Sequence, residues 1–171
     1  MIKVSVIIPN YNQSQYLASA IHSAFRQSFK GFEIIVVDDG STDNTLEVLA
    51  QFSDQVVYLR QENQGLAGAR NTGIRAARGE LIGLLDADDE WRPDYLEQML
   101  ALSEKHPDAA VFYCMAQCMD VDGNDLPQVV GGPPVQPDLL YQKLLRANFI
   151  IPSTVMLRRK PIVDAGCFDS N

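Results

Sequence analysis

Apolar residues gather into four short continuous runs in the first half of the chain, at 4–8, 33–37, 56–59 and 81–85. None alternates strictly with polar positions. Continuous Val/Ile/Leu runs of this length, bounded by turn residues, predict strands buried on both faces. The segments between them have helical spacing. Tyr16, Leu17, Ala20, Ile21, Ala24 and Phe25 form one apolar stripe, and Leu46, Leu49 and Phe52 form a shorter one. Asn12 or Ser14 stands where it can cap the first of these helices, and Ser41 or Thr42 the second. A third helix over 66–77 is rich in small residues, among them Gly68, Ala69 and Gly73, which permit close approach to a sheet. Pro93, suited to a first helical turn, opens a fourth helix running to about His106, with Leu96, Met99 and Leu100 facing inward.

Strand alternating with helix predicts βαβ units, and hence an α/β fold with an open, mainly parallel sheet sandwiched by helices. The character changes after His106-Pro107. A strand over 110–119 is expected, then a turn over 120–125 around Gly123. An exposed loop over 129–137 follows, containing Gly131-Gly132-Pro133-Pro134. The last expected elements are a helix over 139–147, a strand over 153–157 and a short element over 160–165. No repeat or linker divides the chain, so residues 1–171 read as one domain.

Composition narrows the function. With 46% hydrophobic and 21% charged residues, the chain is an ordinary globular protein. The 14 basic and 22 acidic residues give a net charge of −8, which argues against a nucleic-acid binder that neutralises phosphates with a basic face. A small phosphorylated ligand stays compatible, because a local metal ion overrides the overall field. No apolar run approaches the length of a membrane span or a signal-peptide core, and Cys114, Cys118 and Cys167 read as reduced thiols. The expected location is cytoplasmic, or peripheral to the membrane's cytoplasmic face.

In an open parallel sheet, ligands bind outside the carboxyl ends of the strands. The first run ends in Pro9-Asn10-Tyr11-Asn12, and the second in Asp38-Asp39-Gly40-Ser41-Thr42-Asp43. The third leads to Asn63-Gln64-Gly65, and the fourth to Asp86-Ala87-Asp88-Asp89. Polar or acidic side chains thus converge on one rim. Carboxylates without histidine or cysteine favour a hard cation, Mg²⁺ or Mn²⁺, which keeps few protein ligands and shares the rest with substrate phosphates. Both histidines, His22 and His106, fall on predicted helices away from this rim. In an extended loop Asp86 and Asp88 point the same way, so that one can meet a sugar nucleotide while the other holds an ion bridging its diphosphate. Asp89 and Glu90 fit either that site or the cap of the Pro93 helix. Asp39 can accept a hydrogen bond from a base, and Tyr11 offers a stacking surface. Ser41, Thr42 and Asp43 read as turn and cap chemistry. Arg70 either contacts the donor or pairs with Asp39 or Asp86. The stretch from Gly65 to Asn71 matches neither a P-loop nor a dinucleotide fingerprint.

These segments resemble the family 2 glycosyltransferases of the GT-A fold. The stretches 5–12, 33–43, 63–71 and 79–89 cover roughly the first 95 residues in the family's order and spacing, and Ser23 and Gln27 match its first helix. The resemblance implies a Rossmann-like nucleotide-diphospho-sugar transferase fold. It also implies inverting transfer from a nucleoside-diphosphate sugar, usually a UDP-sugar, to an acceptor hydroxyl, with Mg²⁺ or Mn²⁺. Residues 1–106 would form the nucleotide-sugar half and 107–171 the start of the acceptor half. Pro9, Tyr11, Asn12, Asp39, Asn63, Arg70 and Asp86 would hold the donor and Asp88 the metal. The acceptor, whether saccharide, lipid-linked or protein, is not specified.

The chain departs from the family pattern at one place. In the family a stretch like Ala165-Gly166-Cys167-Phe168-Asp169 precedes the acidic pair that carries the catalytic base, and these residues end at Asn171 before such a pair. The expectation is therefore a C-terminally truncated donor-binding part, with the catalytic base unknown and transfer by this chain alone weak or absent. The alternatives are an inactive donor-binding scaffold and a sugar-phosphate nucleotidyltransferase. The latter calls for a basic glycine-rich loop after the first strand, where Pro9-Asn10-Tyr11-Asn12 stands.

Overall fold

The computed structural model of the chain describes residues 2–133 and 135–170. Strands β1 (Val4–Asn10), β2 (Phe32–Asp38), β3 (Val57–Arg60) and β4 (Leu81–Leu84) alternate with helices α1 (Ser14–Phe25), α2 (Thr45–Ala50) and α3 (Gly65–Ala76). Then follow α4 (Tyr95–Lys105), β5 (Val111–Tyr113), β6 (Ala116–Met119), β7 (Asp125–Val130) and α5 (Pro137–Leu144). A short 3-10 turn, Pro152–Thr154, leads into β8 (Val155–Arg158) and α6 (Arg159–Asp164). The main sheet runs β3-β2-β1-β4-β8-β5, and β6 pairs with β7 in a separate ribbon. Strands β1 to β4 are parallel, while β8 lies antiparallel to both β4 and β5.

The central strands are apolar on both sides because both faces of the sheet are covered. On one face Val6, Ile8, Ile34 and Val36 pack with Leu17 and Ile21 of α1 and Leu96 of α4. On the other, Ile7, Ile35 and Val37 pack with Ala69 and Ile74 of α3. A Cβ placed on Gly73 would lie 2.5 Å from Ile7 Cγ2, so the bare glycine lets α3 sit directly on β1. Pro9 falls beyond the last β1–β4 pair, Ile7 with Leu84, where the ladder on that side has ended. The chain moves outward from β1 to β2 and β3, then crosses back to β4 on the other side of β1. That reversal opens a crevice at the carboxyl ends of β1 and β4.

Several local expectations are corrected. Strand β3 is not buried on both faces: it is the sheet edge, with Val57 and Tyr58 over a third exposed. The fourth helix starts at Tyr95, because Pro93 and Asp94 form a preceding turn in which the Pro93 carbonyl accepts the Ser28 amide. The strand expected over 110–119 breaks at Cys114-Met115, where the chain leaves the sheet to pair with β7. Val129 and Val130 therefore belong to that ribbon rather than to a loop. Pro134, in the same expected loop, lies outside the described residues, as do Met1 and Asn171.

The cap of α1 is also not local. Neither Asn12 nor Ser14 caps α1 through its side chain; instead Asp43 Oδ2 accepts the Ser14 amide at 2.9 Å. Asp43 Oδ1 also accepts the amide and hydroxyl of Thr45 at 3.2 and 2.6 Å, in place of Ser41 or Thr42. One carboxylate thus serves two helix starts. Burial raises its pKa, but those hydrogen bonds outweigh it and pull it down to about 2.

Candidate functional site

The crevice at the β1–β4 reversal is a cleft of about 510 Å³. Pro9, Tyr11, Asp39, Asn63, Asp86 and Asp88, all expected at a donor site, line it together. Together they come from the carboxyl ends of four strands, β1, β2, β3 and β4, as the open-sheet rule requires. Tyr11 is half exposed, its ring free to stack on a ligand. Asp39 is buried, and its Oδ1 accepts the Gln61 side-chain amide at 2.6 Å and the Gln64 backbone amide at 2.9 Å. Asn63 Oδ1 accepts the Gly65 amide at 3.1 Å, and Gly65, at φ +75°, makes the sharp entry into α3 that a residue with a Cβ resists.

Two expected donor residues sit outside this lining set. Asn12 adopts a left-handed backbone (φ 54°) and ties two loops together. Its amide donates to Ser41 Oγ at 3.0 Å, and its Oδ1 accepts the Thr42 amide at 2.8 Å. Arg70 stands behind the cleft, where one guanidinium nitrogen donates to both oxygens of Asp86, at 2.7 and 3.0 Å. Of the alternatives for Arg70, the pairing with Asp86 is the one the structure contains. Its Nε, like Asn10 Oδ1, is buried without a hydrogen-bond partner among the described residues.

The acidic segment is a turn and not an extended loop: the Asp89 amide donates to the Asp86 carbonyl at 3.1 Å. Both Asp86 and Asp88 still reach the cleft. Asp88 is exposed, and its Oδ2 accepts the Gln13 side-chain amide at 3.3 Å. Asp89 points inward and accepts the Ser153 hydroxyl at 2.5 Å. Burial raises its pKa, the Ser153 bond only partly offsets this, and the nearby Asp88 and Asp86 charges add to the rise. Glu90 pairs with Arg26 at 2.8 Å. Neither Asp89 nor Glu90 caps α4.

Among the described residues, no group of three or more His, Cys, Asp or Glu side chains could by itself enclose a metal ion. The donor set fits a different arrangement. Asp88 presents a carboxylate to the cleft, whereas both Asp86 oxygens already accept from the cationic Arg70 side chain. A Mg²⁺-type ion is commonly held by one or two carboxylates and completed by substrate phosphates and water, and Asp88 suits that role.

Sequence reasoning did not select Gln13, Leu66, Ala69 or Asn10, which also line the cleft. Gln13 and Leu66 flank the starts of α1 and α3, so position beside a strand-end loop was their available signal. Ser23 and Gln27 prove to be buried connectors: Ser23 Oγ accepts the Trp91 amide at 3.1 Å, and Gln27 Oε1 accepts the Leu96 amide at 2.8 Å. His22 packs edge-on against Phe52, 5.1 Å between ring centres, consistent with its placement away from the site. No helix among the described residues is long and apolar enough to cross a membrane.

Comparison with known proteins identifies the family and the fold. The family profile described as Glycosyl transferase family 2 matches residues 5–165. TuaG of Bacillus subtilis, a glycosyltransferase provisionally named for teichuronic acid biosynthesis, is 36% identical over 162 residues, covering 92% of this chain and 62% of that protein. The S. aureus protein TarS, solved in complex with UDP, superposes with a TM-score of 0.77 at 27% identity, covering 99% of this chain and 51% of that one. The mannosyltransferase PcManGT from Pyrobaculum calidifontis, solved with GDP-Man and Mn²⁺, superposes with a TM-score of 0.72 over 99% of this chain and 48% of that one; at 21% identity it shows the shared fold alone. The chain thus spans about half to three fifths of the length of each of these proteins. It belongs to glycosyl transferase family 2 and has the GT-A fold.

Proposed function

We propose that this chain binds a nucleoside-diphosphate sugar, most simply a UDP-sugar, together with Mg²⁺ or Mn²⁺, for inverting transfer of the sugar to an acceptor hydroxyl. The observation that carries the reading is the gathering of Tyr11, Asp39, Asn63, Asp86 and Asp88 around one cleft at the strand reversal. The UDP complex of TarS supports the choice of nucleotide.

Within this reading, the exposed face of Tyr11 stacks on the base. Asp39, held rigid by Gln61 and Gln64, accepts a hydrogen bond from the base edge. Asp86 meets the ribose, with Arg70 behind it to keep the carboxylate oriented. Asp88 holds the metal at the diphosphate. When bound, such an ion supplies Lewis-acid stabilisation of the charge that develops on the departing diphosphate. The base that takes the acceptor's proton is not one of these residues, since each is committed to the donor side. Pro9 closes the strand end beneath the base, and Asn12 acts through the loop it ties to Thr42. A cytoplasmic location, or a peripheral one on the membrane's cytoplasmic face, completes the reading.

Calorimetric titration of the 171-residue chain with UDP, with and without Mn²⁺, tests it. The expected result is saturable binding that Mn²⁺ tightens by about tenfold or more. Absence of UDP binding in both conditions sinks the donor assignment.

A further inference from the structure

The turn that presents Asp86 and Asp88 is secured by a residue that does not line the cleft. Ser153 lies in the 3-10 turn before β8 and is 6% exposed. Its hydroxyl oxygen accepts the Asp86 amide at 3.0 Å, and its proton goes to Asp89 Oδ2 at 2.5 Å. Its carbonyl accepts the indole N–H of Trp91 at 2.7 Å. One residue from the second half of the chain therefore grips the first residue of the turn, the last residue of the turn and the ring two residues beyond.

Each contact has a physical consequence. A hydroxyl has one proton, so accepting from the Asp86 amide while donating to Asp89 uses it in a single orientation. Removing it strands a backbone amide and a largely buried carboxylate at once, and buried groups left without partners are costly. Trp91 is itself fixed, stacked on Tyr95 at 4.3 Å and packed so closely on Gly83 that a Cβ there would lie 2.7 Å from the ring. Asp88, between the two gripped ends, has on its own side chain, among the described residues, one hydrogen bond, the 3.3 Å bond from Gln13. Its position is set by the ends of the turn.

We propose that Ser153 is a positioning residue for the diphosphate end of the donor site, fixing the turn so that Asp86 and Asp88 face the cleft. The proposal rests on the donor reading given above. It places part of the donor site's rigidity in the segment before β8, so that the second half of the chain contributes to donor binding without touching the donor.

The test compares Ser153→Ala, Ser153→Thr and Thr154→Ala in UDP titrations with and without Mn²⁺. Thr154 is an equally buried neighbour whose hydroxyl donates to the Ile151 carbonyl and not to the turn, so it controls for general loosening. Ser153→Ala is expected to weaken UDP binding about tenfold or more in Mn²⁺, with a smaller effect in its absence, as for residues that orient a metal ligand. Ser153→Thr keeps the hydroxyl and should restore affinity to within about threefold of the parent, and Thr154→Ala should match the parent. The sole tryptophan gives a folding control: its indole N–H donates to the Ser153 backbone carbonyl, which each of these variants keeps, so the emission of Trp91 should stay unchanged in all of them. If Ser153→Ala does not fold, Ser153→Cys, near in size but a weak donor, takes its place with the same expected loss. Equal affinities for the Ser153→Ala or Ser153→Cys protein and Thr154→Ala overturn the positioning role. A parent chain that binds no UDP overturns the donor reading itself, which separates the two failures.

Discussion

A single guanidinium nitrogen of Arg70 bridges both carboxylate oxygens of Asp86, at 2.7 and 3.0 Å, with the two side chains only 9% and 23% exposed. Such a pair contributes little net stability compared with an apolar replacement, but removing one member leaves a charge buried without a partner. Arg70→Ala is expected to cost about 3 kcal/mol, which for a chain of this length lowers the melting temperature by about 6–12 °C. It should also weaken UDP binding, since Asp86 then faces Asp88 and Asp89 without a counter-charge. Arg70→Lys should recover only part of either loss, because an ammonium is more strongly hydrated than a guanidinium and costs more to bury. Thermal melts and UDP titration of both variants check this.

Asp88 offers the opposite profile. It is exposed, and its charge raises the pKa of Asp89, so its negative charge opposes its neighbours in the free protein. Asp88→Asn should leave the melting temperature unchanged or slightly higher while abolishing the part of UDP affinity that depends on Mn²⁺. A large drop in melting temperature would show that Asp88 is structural.

Asp43 predicts an acid limit to stability. Its folded pKa of about 2 lies below the ordinary 3.8, so the stabilisation is fully present above about pH 4 and is lost as pH falls towards 2. Asp43→Asn should melt earlier than the parent at pH 7, with the gap closing between pH 4 and 2. Melting temperatures of the two proteins across that range supply the measurement.

Gly73→Ala sets helix propensity against packing. In an exposed helix the change gains about 1 kcal/mol. Here the new methyl meets Ile7, a fully buried β-branched side chain, at 2.5 Å. Overpacking of that kind costs about 1–3 kcal/mol, so the net result is expected to be destabilising in a denaturant titration. An increase in stability would mean that α3 can lift from β1.

Local pattern made the order of β1, α1, β2, α3 and β4 readable, because both-sided burial leaves unbroken apolar runs and amphipathic helices leave stripes. It also placed Tyr11, Asp39, Asn63, Asp86 and Asp88 at strand ends, and the open-sheet rule then brought those ends to one rim. What depended on distant partners was not readable. The exposure of β3 follows from its place at the sheet edge, and the split of 110–119 from β8 entering beside β5 and from β7 drawing β6 away.

The same division runs through the site. Four polar strand ends, the fourth of them acidic, are properties of the chain's order, and they determine that a polar cleft forms at that rim. Arg70 on Asp86, Asp43 on the start of α1 and Ser153 on Asp89 join residues 16, 29 and 64 positions apart. A hydrogen bond depends on where two atoms meet in space, and spacing along the chain carries no record of such meetings. Tertiary structure alone decided which acids face the cleft, which are turned inward, and what holds them there.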